Sequence, residues 1–327
     1  MSPQNQNPAF GAHLEPFQGI TSFMRLPVSR DLAEIDVAIV GVPYDGGTSF
    51  RSGTRFGPRS IREMSLLLWG YNNVIGVAPA EILKIVDYGD IEINPVEIIK
   101  TMQNIVGESG KILKQGVAMI ALGGDHSISL PLLRAHHAQF GPLAVVHFDS
   151  HPDTWDTEYP GEPFSHGTPF RRAIEEGLID RNAYIQVGIR GPVSDADDLE
   201  NTREMGARIL DIDQVFKAGI PSIIEEIQAI IGARKLYVSL DIDCVDPAFA
   251  PGTGTPEVGG LSSYQILQLV RGLQGLNCLG FDLVEVSPPY DHSGITAILA
   301  ANLVFEFMSL LALSRRSPQQ AREKTGH

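Results

Sequence analysis

The sequence predicts an α/β fold in which helices cover both faces of a parallel sheet. Short apolar runs that end in turn residues, such as 117–122, alternate along the chain with longer segments of helical pattern, such as 96–114. This alternation is typical of parallel sheets, because a helix usually carries the chain from one strand to the next. The length of 327 residues, with 43% apolar and 20% charged residues, fits a folded protein with a sizeable core.

The individual elements follow from local composition. Predicted strands cover 36–43, 117–122, the run that opens 145–153, 184–190, 235–240 and 278–286. Predicted helices begin near Pro58 and after Ser127, and cover 96–114, 170–177, 223–231 and 296–313. Pro58 suits a helix start because proline is tolerated in the first turn, and Asp125 or Ser127 can cap the helix that follows them.

The elements form one domain with two irregular ends. Residues 1–30 show mixed polarity without a period and are predicted to form an irregular N-terminal arm. Residues 31–315 carry all predicted elements, and no repeat, low-complexity segment or proline- and serine-rich linker divides them. Residues 316–327 are predicted to form a polar C-terminal tail.

Charge and cysteine content limit the partners and the compartment. The formal net charge of −14 disfavours nucleic acid and anionic membranes, because both are negatively charged. No apolar run approaches the length that crosses a bilayer, and the polar start of the chain lacks the pattern of a signal peptide. Cys244 and Cys278 lie in apolar segments, which indicates reduced, buried thiols. We therefore expect a cytoplasmic protein that binds neither nucleic acid nor membrane.

A glycine-rich loop, residues 44–58, joins the first predicted strand to the first predicted helix. Such a loop can cradle phosphate with its backbone N–H groups. This one lacks both the G-x-G-x-x-G and the G-x-x-x-x-G-K-S/T spacing. The sequence therefore excludes a nucleotide site here.

Residue types that bind metals gather where the third predicted strand ends. Asp149, His151 and Asp153 occupy alternate positions there. Carboxylate oxygens together with imidazole nitrogen suit divalent ions such as Mn, Fe, Co or Zn. A polar strand end with hydrogen-bonded caps would explain this stretch, taken by itself, without a metal.

Further ionisable residues follow other predicted strands. They are His126, Asp241, Asp243 and Glu285, which come at the ends of the second, fifth and sixth predicted strands. Because ligands of parallel sheets bind at the carboxyl ends of the strands, these side chains can converge if their strands are neighbours. Asp125 and Asp246 are interpreted as cap and turn residues, and His136, His137, His147 and His292 as structural or solvated.

Three of these stretches are motifs of a known family. They are Gly-Gly-Asp-His-Ser at 123–127, His-Phe-Asp-Ser-His-Pro-Asp at 147–153 and Ser-Leu-Asp-Ile-Asp-Cys-Val-Asp-Pro at 239–247. With them the chain resembles the ureohydrolase family, which includes arginase and agmatinase, from about residue 36 to about residue 313. The segments around His166 and at 282–290 are more similar to the agmatinase branch.

The resemblance implies a three-layer α/β/α sandwich with a mostly parallel central sheet, as in arginases and deacetylases. It also implies two Mn²⁺ ions per chain. In this assignment His126 and Asp153 hold one ion, His151 and Asp243 hold the other, and Asp149 and Asp241 bridge them. Paired divalent ions can activate one shared water near neutral pH, which agrees with a hydrolytic role.

The resemblance further implies a reaction and three catalytic residues. Glu285 would bind the guanidinium of the substrate, because a carboxylate matches its two N–H groups. His166 would pass a proton to the leaving amine, and Asp153 would hydrogen-bond the nucleophile. The implied reaction is hydrolysis of agmatine to putrescine and urea, within polyamine and arginine metabolism. The implied assembly is a homo-oligomer, a trimer or a hexamer.

The far end of the substrate remains open. Asp156, Glu158 and Glu162 in the loop 154–165 favour an ammonium group there, unless they form an ordinary solvated surface. Arg190 could instead hold the carboxylate of 4-guanidinobutyrate or 3-guanidinopropionate. Two different classes of protein are also compatible with the motifs: a one-zinc, deacetylase-like amide hydrolase and a non-catalytic scaffold stabilised by metal. Six predicted ligands argue against the first, since a one-ion site needs fewer, and urea release from any guanidino compound would exclude the second.

Overall fold

A single sheet of parallel strands runs through the computed structural model, which describes residues 15–315. Within these residues the strands are β1 (Val37–Val42), β2 (Ile85–Asp90), β3 (Ala118–Gly123), β4 (Leu143–Phe148), β5 (Ile179–Ile189), β6 (Ala207–Asp211), β7 (Lys235–Asp241) and β8 (Asn277–Val284). Their order in the sheet is β2-β1-β3-β8-β7-β4-β5-β6, and every neighbouring pair is parallel. The predicted fold class is confirmed.

The helices form a layer on each face of the sheet. They are α1 (Gly57–Ser65), α2 (Pro79–Ile82), α3 (Ile98–Lys114), α4 (Ser129–Phe140), α5 (Pro169–Glu175), α6 (Asp198–Glu204), α7 (Ile212–Ala218), α8 (Ile220–Ile231), α9 (Ser263–Arg271) and α10 (Ile295–Arg315). One apolar core includes side chains of α1, α8, α9 and α10, and a second core includes side chains of α3, α4 and α5. The sheet separates the two cores, so the protein is an α/β/α sandwich.

The central strands contribute to both cores, which explains their unbroken apolar sequences. In β3, Ile120 and Leu122 belong to the first core, whereas Met119 and Ala121 belong to the second. Successive side chains of a strand point to opposite faces, so a strand covered on both faces is apolar at every position. Burial of each large aliphatic side chain contributes about 1.5–3 kcal/mol.

Two strands, β2 and β6, are absent from the sequence-based prediction. They form the two edges of the sheet, where fewer positions are covered and polar residues are tolerated. Asp87 and Asp90 interrupt β2, and β6 is only five residues long. Neither segment therefore shows the apolar run by which the six other strands are recognised.

Helix α10 contradicts the expectation that no apolar run approaches the length of a membrane span. This helix of 21 residues is long and apolar enough to cross a membrane, but 83% of its most apolar part is buried inside the protein. A helix packed on all sides is apolar all round, so length and composition alone resemble a span. Its buried acid, Glu306, accepts a hydrogen bond from Asn72 at 2.9 Å and pairs with Arg271.

The predicted irregular ends are described only in part, because residues 1–14 and 316–327 lie outside the described region. Of the predicted arm, residues 15–30 include one short 3-10 helix, Phe23–Arg25. Phe23 is fully buried, and its backbone N–H donates to Asp87 at 2.8 Å. This part of the chain is therefore packed against the edge strand β2.

Candidate active site

The predicted site residues meet at one edge of the sheet. His126 follows β3, Asp149 follows β4, Asp241 ends β7 and Glu285 follows β8. These four strands are consecutive in the sheet order β3-β8-β7-β4, so their carboxyl ends lie side by side. Strand order thus brings together residues that are up to 159 positions apart, such as His126 and Glu285.

The predicted metal ligands form two overlapping groups. The first contains His126, Asp149 and Asp153, together with His147, and the second contains Asp149, His151 and Asp243. Asp149 belongs to both groups, as expected of a bridging ligand. Asp241 approaches the first group, with its Oδ2 3.3 Å from Nδ1 of His126. His151 Nδ1 lies 3.0 Å from Oδ2 of Asp243.

A buried relay fixes the proton position on His126. Its Nε2 lies 2.9 Å from Oγ of Ser239, which donates to Oδ1 of Asp282 at 2.6 Å. The other oxygen of Asp282 accepts from the hydroxyl of Tyr237 at 2.6 Å. Because the Ser239 proton is used toward Asp282, Ser239 must accept from His126, so the imidazole proton sits on Nε2. The lone pair of Nδ1 then points into the carboxylate cluster.

This arrangement fits a metal cation. Three carboxylate oxygens surround Nδ1 of His126: Oδ2 of Asp153 at 2.9 Å, of Asp149 at 3.1 Å and of Asp241 at 3.3 Å. Nδ1 makes no hydrogen bond there, and neither does the buried Oδ2 of Asp243. Lone pairs that face one another without a proton need a cation between them, and nitrogen with carboxylate oxygen is a ligand set for divalent metals.

The charges of the cluster lead to the same conclusion. Burial, together with the charge of the neighbouring Asp149, raises the pKa of Asp153 to about 7. Burial, reinforced by the charges of Asp243 and Asp149, raises the pKa of Asp241 well above its usual range. Buried carboxylates that crowd one another in this way require protons or cations for neutralisation.

Sharp turns after the strands aim these side chains. Asp149 Oδ1 accepts the backbone N–H of His151 at 2.7 Å, and Asp241 Oδ1 accepts that of Asp243 at 2.8 Å. Aspartate favours such turns because its side chain hydrogen-bonds the backbone two residues on. Asp153 and Glu285 have φ angles of 48° and 64°. Such backbone conformations cost about 1–3 kcal/mol each and are concentrated at functional sites.

Glu285 and His166 are directly paired. Nδ1 of His166 lies 3.0 Å from Oε1 of Glu285, which also accepts the backbone N–H of His126 at 2.9 Å. Oε2 of Glu285 is buried and has no hydrogen-bond partner. Burial lowers the pKa of His166, but the hydrogen bond and the charge of Glu285 outweigh it and raise that pKa to about 10. On its other side, Nε2 of His166 contacts Ser49, whose backbone nitrogen lies 3.0 Å away and whose Oγ lies 2.7 Å away.

A cavity of about 270 Å³ opens onto this cluster. It is lined by Ser49, His151, Asp153, Trp155, Glu158, His166, Gly167, Pro192, Val193, Ser194, Asp241 and Thr255. Asp153, His166 and Asp241 are buried at its inner end, whereas Val193 and Ser194 lie at its mouth. No lysine or arginine is among the described residues that line it.

The acidic loop before His166 is less uniform than the sequence suggested. Only Glu158 lines the cavity, where its Oε1 lies 3.8 Å from Nε2 of His166 and its Oε2 accepts the N–H of Gly167 at 2.9 Å. Asp156 instead pairs with Arg172 at 2.5 Å, and Glu162 lines a neighbouring cavity. Of the two alternatives for these carboxylates, a place in the cavity wall applies to Glu158, whereas Asp156 and Glu162 do not line this cavity.

Arg190, the predicted partner of a substrate carboxylate, already donates its hydrogen bonds within the protein. Its guanidinium donates to the backbone carbonyls of Gly188, Asp243, Cys244, Glu257 and Val258 at 2.7–3.2 Å. It thereby holds the turn that follows β7. The N–H groups on all three guanidinium nitrogens have acceptors within the protein, so the residue is structural.

Several contributors were missed by the sequence-based reasoning. They are Ser49, His147, Trp155, Asp198, Ser239 and Asp282. His147, interpreted as structural or solvated, is fully buried with its Nε2 2.7 Å from Oδ2 of Asp149. A carboxylate oxygen accepts hydrogen bonds, so Nε2 of His147 carries its proton toward Asp149. In the sequence, the only sign of this role is that His147 lies two residues before Asp149 and therefore on the same face of the strand.

Comparison with known proteins supports the resemblance. Residues 35–310 match the model of the arginase family. A guanidinopropionase from Pseudomonas aeruginosa is 44% identical over 314 residues, which are 96% of this chain and 98% of that protein. An agmatinase from Gallus gallus is 43% identical over 90% of this chain and 86% of that protein.

The solved structures agree with these matches. Proclavaminate amidino hydrolase from Streptomyces clavuligerus superposes with a TM-score of 0.88 at 44% identity, covering 91% of this chain and 98% of that chain. The fold, the order of the strands and the sequence motifs therefore lead to one conclusion: the chain belongs to the arginase family.

Proposed function

We propose that the protein hydrolyses a linear guanidino compound to urea and an amine, using two Mn²⁺ ions. The observation that carries this proposal is the free Oε2 of Glu285, which is buried beside the metal-ligand cluster without a hydrogen-bond partner. A buried carboxylate oxygen left unpaired in this way is unfavourable unless a ligand supplies the donor. A guanidinium supplies N–H groups and positive charge together.

The proposed ligands of the ions are those of the two overlapping groups. His126, Asp149, Asp153 and Asp241 surround the first position, and Asp149, His151, Asp241 and Asp243 are assigned to the second. Four carboxylates and two imidazoles form an oxygen-rich ligand set. Such a set suits Mn²⁺, whereas structural zinc sites are usually rich in cysteine sulfur. Bound divalent ions supply Lewis-acid activation of a water molecule near neutral pH.

The chain's own residues hold the substrate and move the proton. Glu285 binds the guanidinium, and water adds to the guanidino carbon. The bond from this carbon to the alkyl-substituted nitrogen then breaks, and His166 delivers a proton to that nitrogen. A substrate cation on Glu285 offsets the negative charge that raises the pKa of His166, so binding makes the imidazolium a better acid. The products are urea and a free amine.

We propose agmatine as the preferred substrate. The cavity wall carries Glu158 and no lysine or arginine among its described residues, so it attracts a distal ammonium and repels a distal carboxylate. Arg190, the other predicted partner of the distal group, is saturated by backbone carbonyls. Hydrolysis of agmatine would place the protein in polyamine formation from arginine.

A guanidino acid is the second candidate substrate. The relative from Pseudomonas aeruginosa, 44% identical, is a guanidinopropionase, and its similarity slightly exceeds that of the agmatinase from Gallus gallus. Identities this close do not separate the two substrates. The electrostatics of the cavity are the reason to place agmatine first.

A substrate panel tests both parts of the proposal. The Mn²⁺-loaded protein is assayed for urea release from agmatine, 4-guanidinobutyrate, 3-guanidinopropionate and arginine, with Glu285→Gln as the inactive control. We expect agmatine to have the highest kcat/KM. A higher kcat/KM for a guanidino acid would refute the choice of agmatine, and absence of urea release from all four would refute the hydrolase itself.

We further propose a cytoplasmic homo-oligomer without nucleic acid or membrane partners. Exposed aromatic side chains, among them Phe17, Phe50 and Trp69, offer apolar area for contact with a second copy. The net charge of −14 supports the exclusion of polyanions. Light scattering of the purified chain measures the assembly, and a monomer would contradict the proposed trimer or hexamer.

A further inference from the structure

We propose that Asp198 is a positioning residue that fixes the mouth of the substrate cavity and thereby the affinity for the end of the substrate remote from the guanidino group. The identity of that substrate rests on the proposed function. The mouth consists of two loops: residues 154–165, which contribute Trp155, and residues 190–197, which contribute Pro192, Val193 and Ser194. Asp198 is the first residue of α6 and directly follows the second loop.

One oxygen of Asp198 joins the two loops. Its Oδ2 accepts the indole N–H of Trp155 at 3.1 Å, from the loop after β4. The same oxygen accepts the backbone N–H groups of Ser194 at 2.9 Å and Asp195 at 3.0 Å, from the loop after β5. Hydrogen bonds to a charged acceptor are stronger than those between neutral groups. A single carboxylate therefore holds the two loops next to each other.

The rest of the Trp155 environment leaves the indole little freedom. The backbone N–H of Trp155 donates to the carbonyl of Gly167 at 3.2 Å. A Cβ on Gly167 would lie 2.7 Å from Cε3 of Trp155, so the ring packs directly on that backbone. The preceding Thr154 contacts Thr202 of α6 at 2.6 Å between hydroxyl oxygens. Packing limits the ring on one side, and Asp198 supplies the polar contact that orients it on the other.

Loss of this carboxylate should weaken binding of the distal group and leave the chemistry intact. The side chain of Asp198 hydrogen-bonds Trp155, Ser194 and Asp195, and none of these is a predicted metal ligand or the proton donor. Without this carboxylate the two loops would be more mobile in the free protein. They would then lose more conformational entropy than the native loops when a substrate with a distal group binds between them. A small guanidine that reaches only the inner end of the cavity would not meet these loops. The expected effect is therefore on KM, and only for substrates with a distal group.

The test compares Asp198→Ala and Asp198→Asn with the control Asp197→Ala. Asp197 is adjacent and carries the same charge, and its side chain makes no capping hydrogen bond. The chain has two tryptophans, so in a Trp69→Phe background Trp155 is the only indole, and acrylamide quenching reports its exposure. For Asp198→Ala we expect stronger acrylamide quenching of Trp155 fluorescence and native metal content. We also expect a roughly tenfold higher KM for agmatine and a kcat within about twofold of the native value. Asp198→Asn keeps an acceptor oxygen, so its KM and its quenching should lie between those of the native protein and Asp198→Ala. Asp197→Ala should match the native protein in both.

Native KM and native quenching in Asp198→Ala would overturn the proposal, as would an equal rise of KM for methylguanidine, which has no distal group. If Asp198→Ala does not fold, the same two measurements on Asp198→Asn decide between support and refutation. Quenching needs no substrate, so it distinguishes the two proposals. Absence of urea release from every guanidino compound refutes the proposed function, while unchanged quenching refutes the role of Asp198.

Discussion

At the scale of single residues, the metal-ligand cluster is oriented by side chains that do not line the cavity. Asp282 is fully buried, and its two oxygens are occupied by the hydroxyls of Ser239 and Tyr237. Through Ser239 it determines which nitrogen of His126 is free to bind a metal. Such outer contacts fix the orientation and tautomer of a ligand, and their loss weakens metal binding although no ligand is removed.

The first prediction concerns this relay. Asp282→Asn should weaken Mn²⁺ binding by about 10–100-fold, because the amide can present its N–H₂ to Ser239 and reverse the direction of the hydrogen bonds. Tyr237→Phe removes only the second contact of Asp282 and should have a smaller effect. Isothermal titration of metal-free protein measures both affinities. Equal Mn²⁺ affinity in the native protein and Asp282→Asn would contradict the relay.

The second prediction concerns the proton donor. His166→Ala should lower kcat by about a hundredfold or more, as expected for loss of a general acid, and leave metal content unchanged. Ser49→Ala is the matched control, because it removes only a hydroxyl next to Nε2 and keeps the imidazole and its Nδ1 contact with Glu285. The control should keep most of the native kcat. Native turnover by His166→Ala would assign the proton transfer to another group.

At the scale of elements, helix α1 holds the edge strand β2 to the sheet by a buried ion pair. Arg62 of α1 donates to both oxygens of Asp87 at 2.8 and 2.9 Å, and to Asp90 at 2.6 Å. Asp87 also accepts the N–H of Phe23, so one carboxylate joins the helix, the strand and the preceding chain. A buried ion pair of this kind adds little to the free energy of unfolding when compared with an apolar pair of the same size. Removal of one partner is nevertheless strongly destabilising, because it leaves a buried charge without an opposite charge beside it.

The third prediction follows from that asymmetry. Arg62→Met should lower the free energy of unfolding by about 3–5 kcal/mol, measured by urea denaturation, and Arg62→Met with Asp87→Asn should recover part of the loss. Lys84→Met serves as the control, because Lys84 pairs with Glu34 at 2.7 Å on the exposed surface and should show no measurable change. The same midpoint for Arg62→Met and the control would show that the buried pair is dispensable.

The elements also show which features the sequence could predict. Asp149, His151 and Asp153 are recognisable because ligand spacing along one strand end is a local property. The buried positions of β3, β4, β7 and β8 follow from their apolar runs. Sequence could not give the strand order β3-β8-β7-β4, since nothing local specifies which strands are neighbours. The roles of Arg190, Asp198 and Asp282 were likewise hidden, because their partners come from distant segments.

At the scale of the whole molecule, the proposed metal binding would be coupled to folding. The cluster takes ligands from segments that lie between His126 and Asp243 in the sequence, and brings them together only in the folded chain. A ligand that binds only the folded state stabilises it, by about 2.7 kcal/mol when its free concentration is a hundredfold above Kd. The crowded carboxylates add to this effect, since their mutual repulsion falls when a cation is bound.

The fourth prediction is therefore a metal-dependent stability. Removal of metal by EDTA should lower the melting temperature, and added Mn²⁺ should restore it in a concentration-dependent manner. Asp149→Asn removes the ligand common to both groups, so its melting temperature should respond much less to Mn²⁺. Calorimetric melting curves with and without EDTA measure the difference. Superimposable curves for the native protein would mean that the cluster holds no stabilising ion.

The position of β8 has a consequence for the synthesis of the protein. β8 is the last strand of the described chain to leave the ribosome, yet it lies in the middle of the sheet between β3 and β7. Until it emerges, the earlier strands can form only two separate half-sheets, β2-β1-β3 and β7-β4-β5-β6, each with an open inner edge. Open edges of apolar strands pair readily with other chains, so the nascent protein is most prone to aggregation just before β8 emerges. A chain that stops there already contains every predicted metal ligand, but without β8 nothing aligns His126 on one half-sheet with the aspartates on the other.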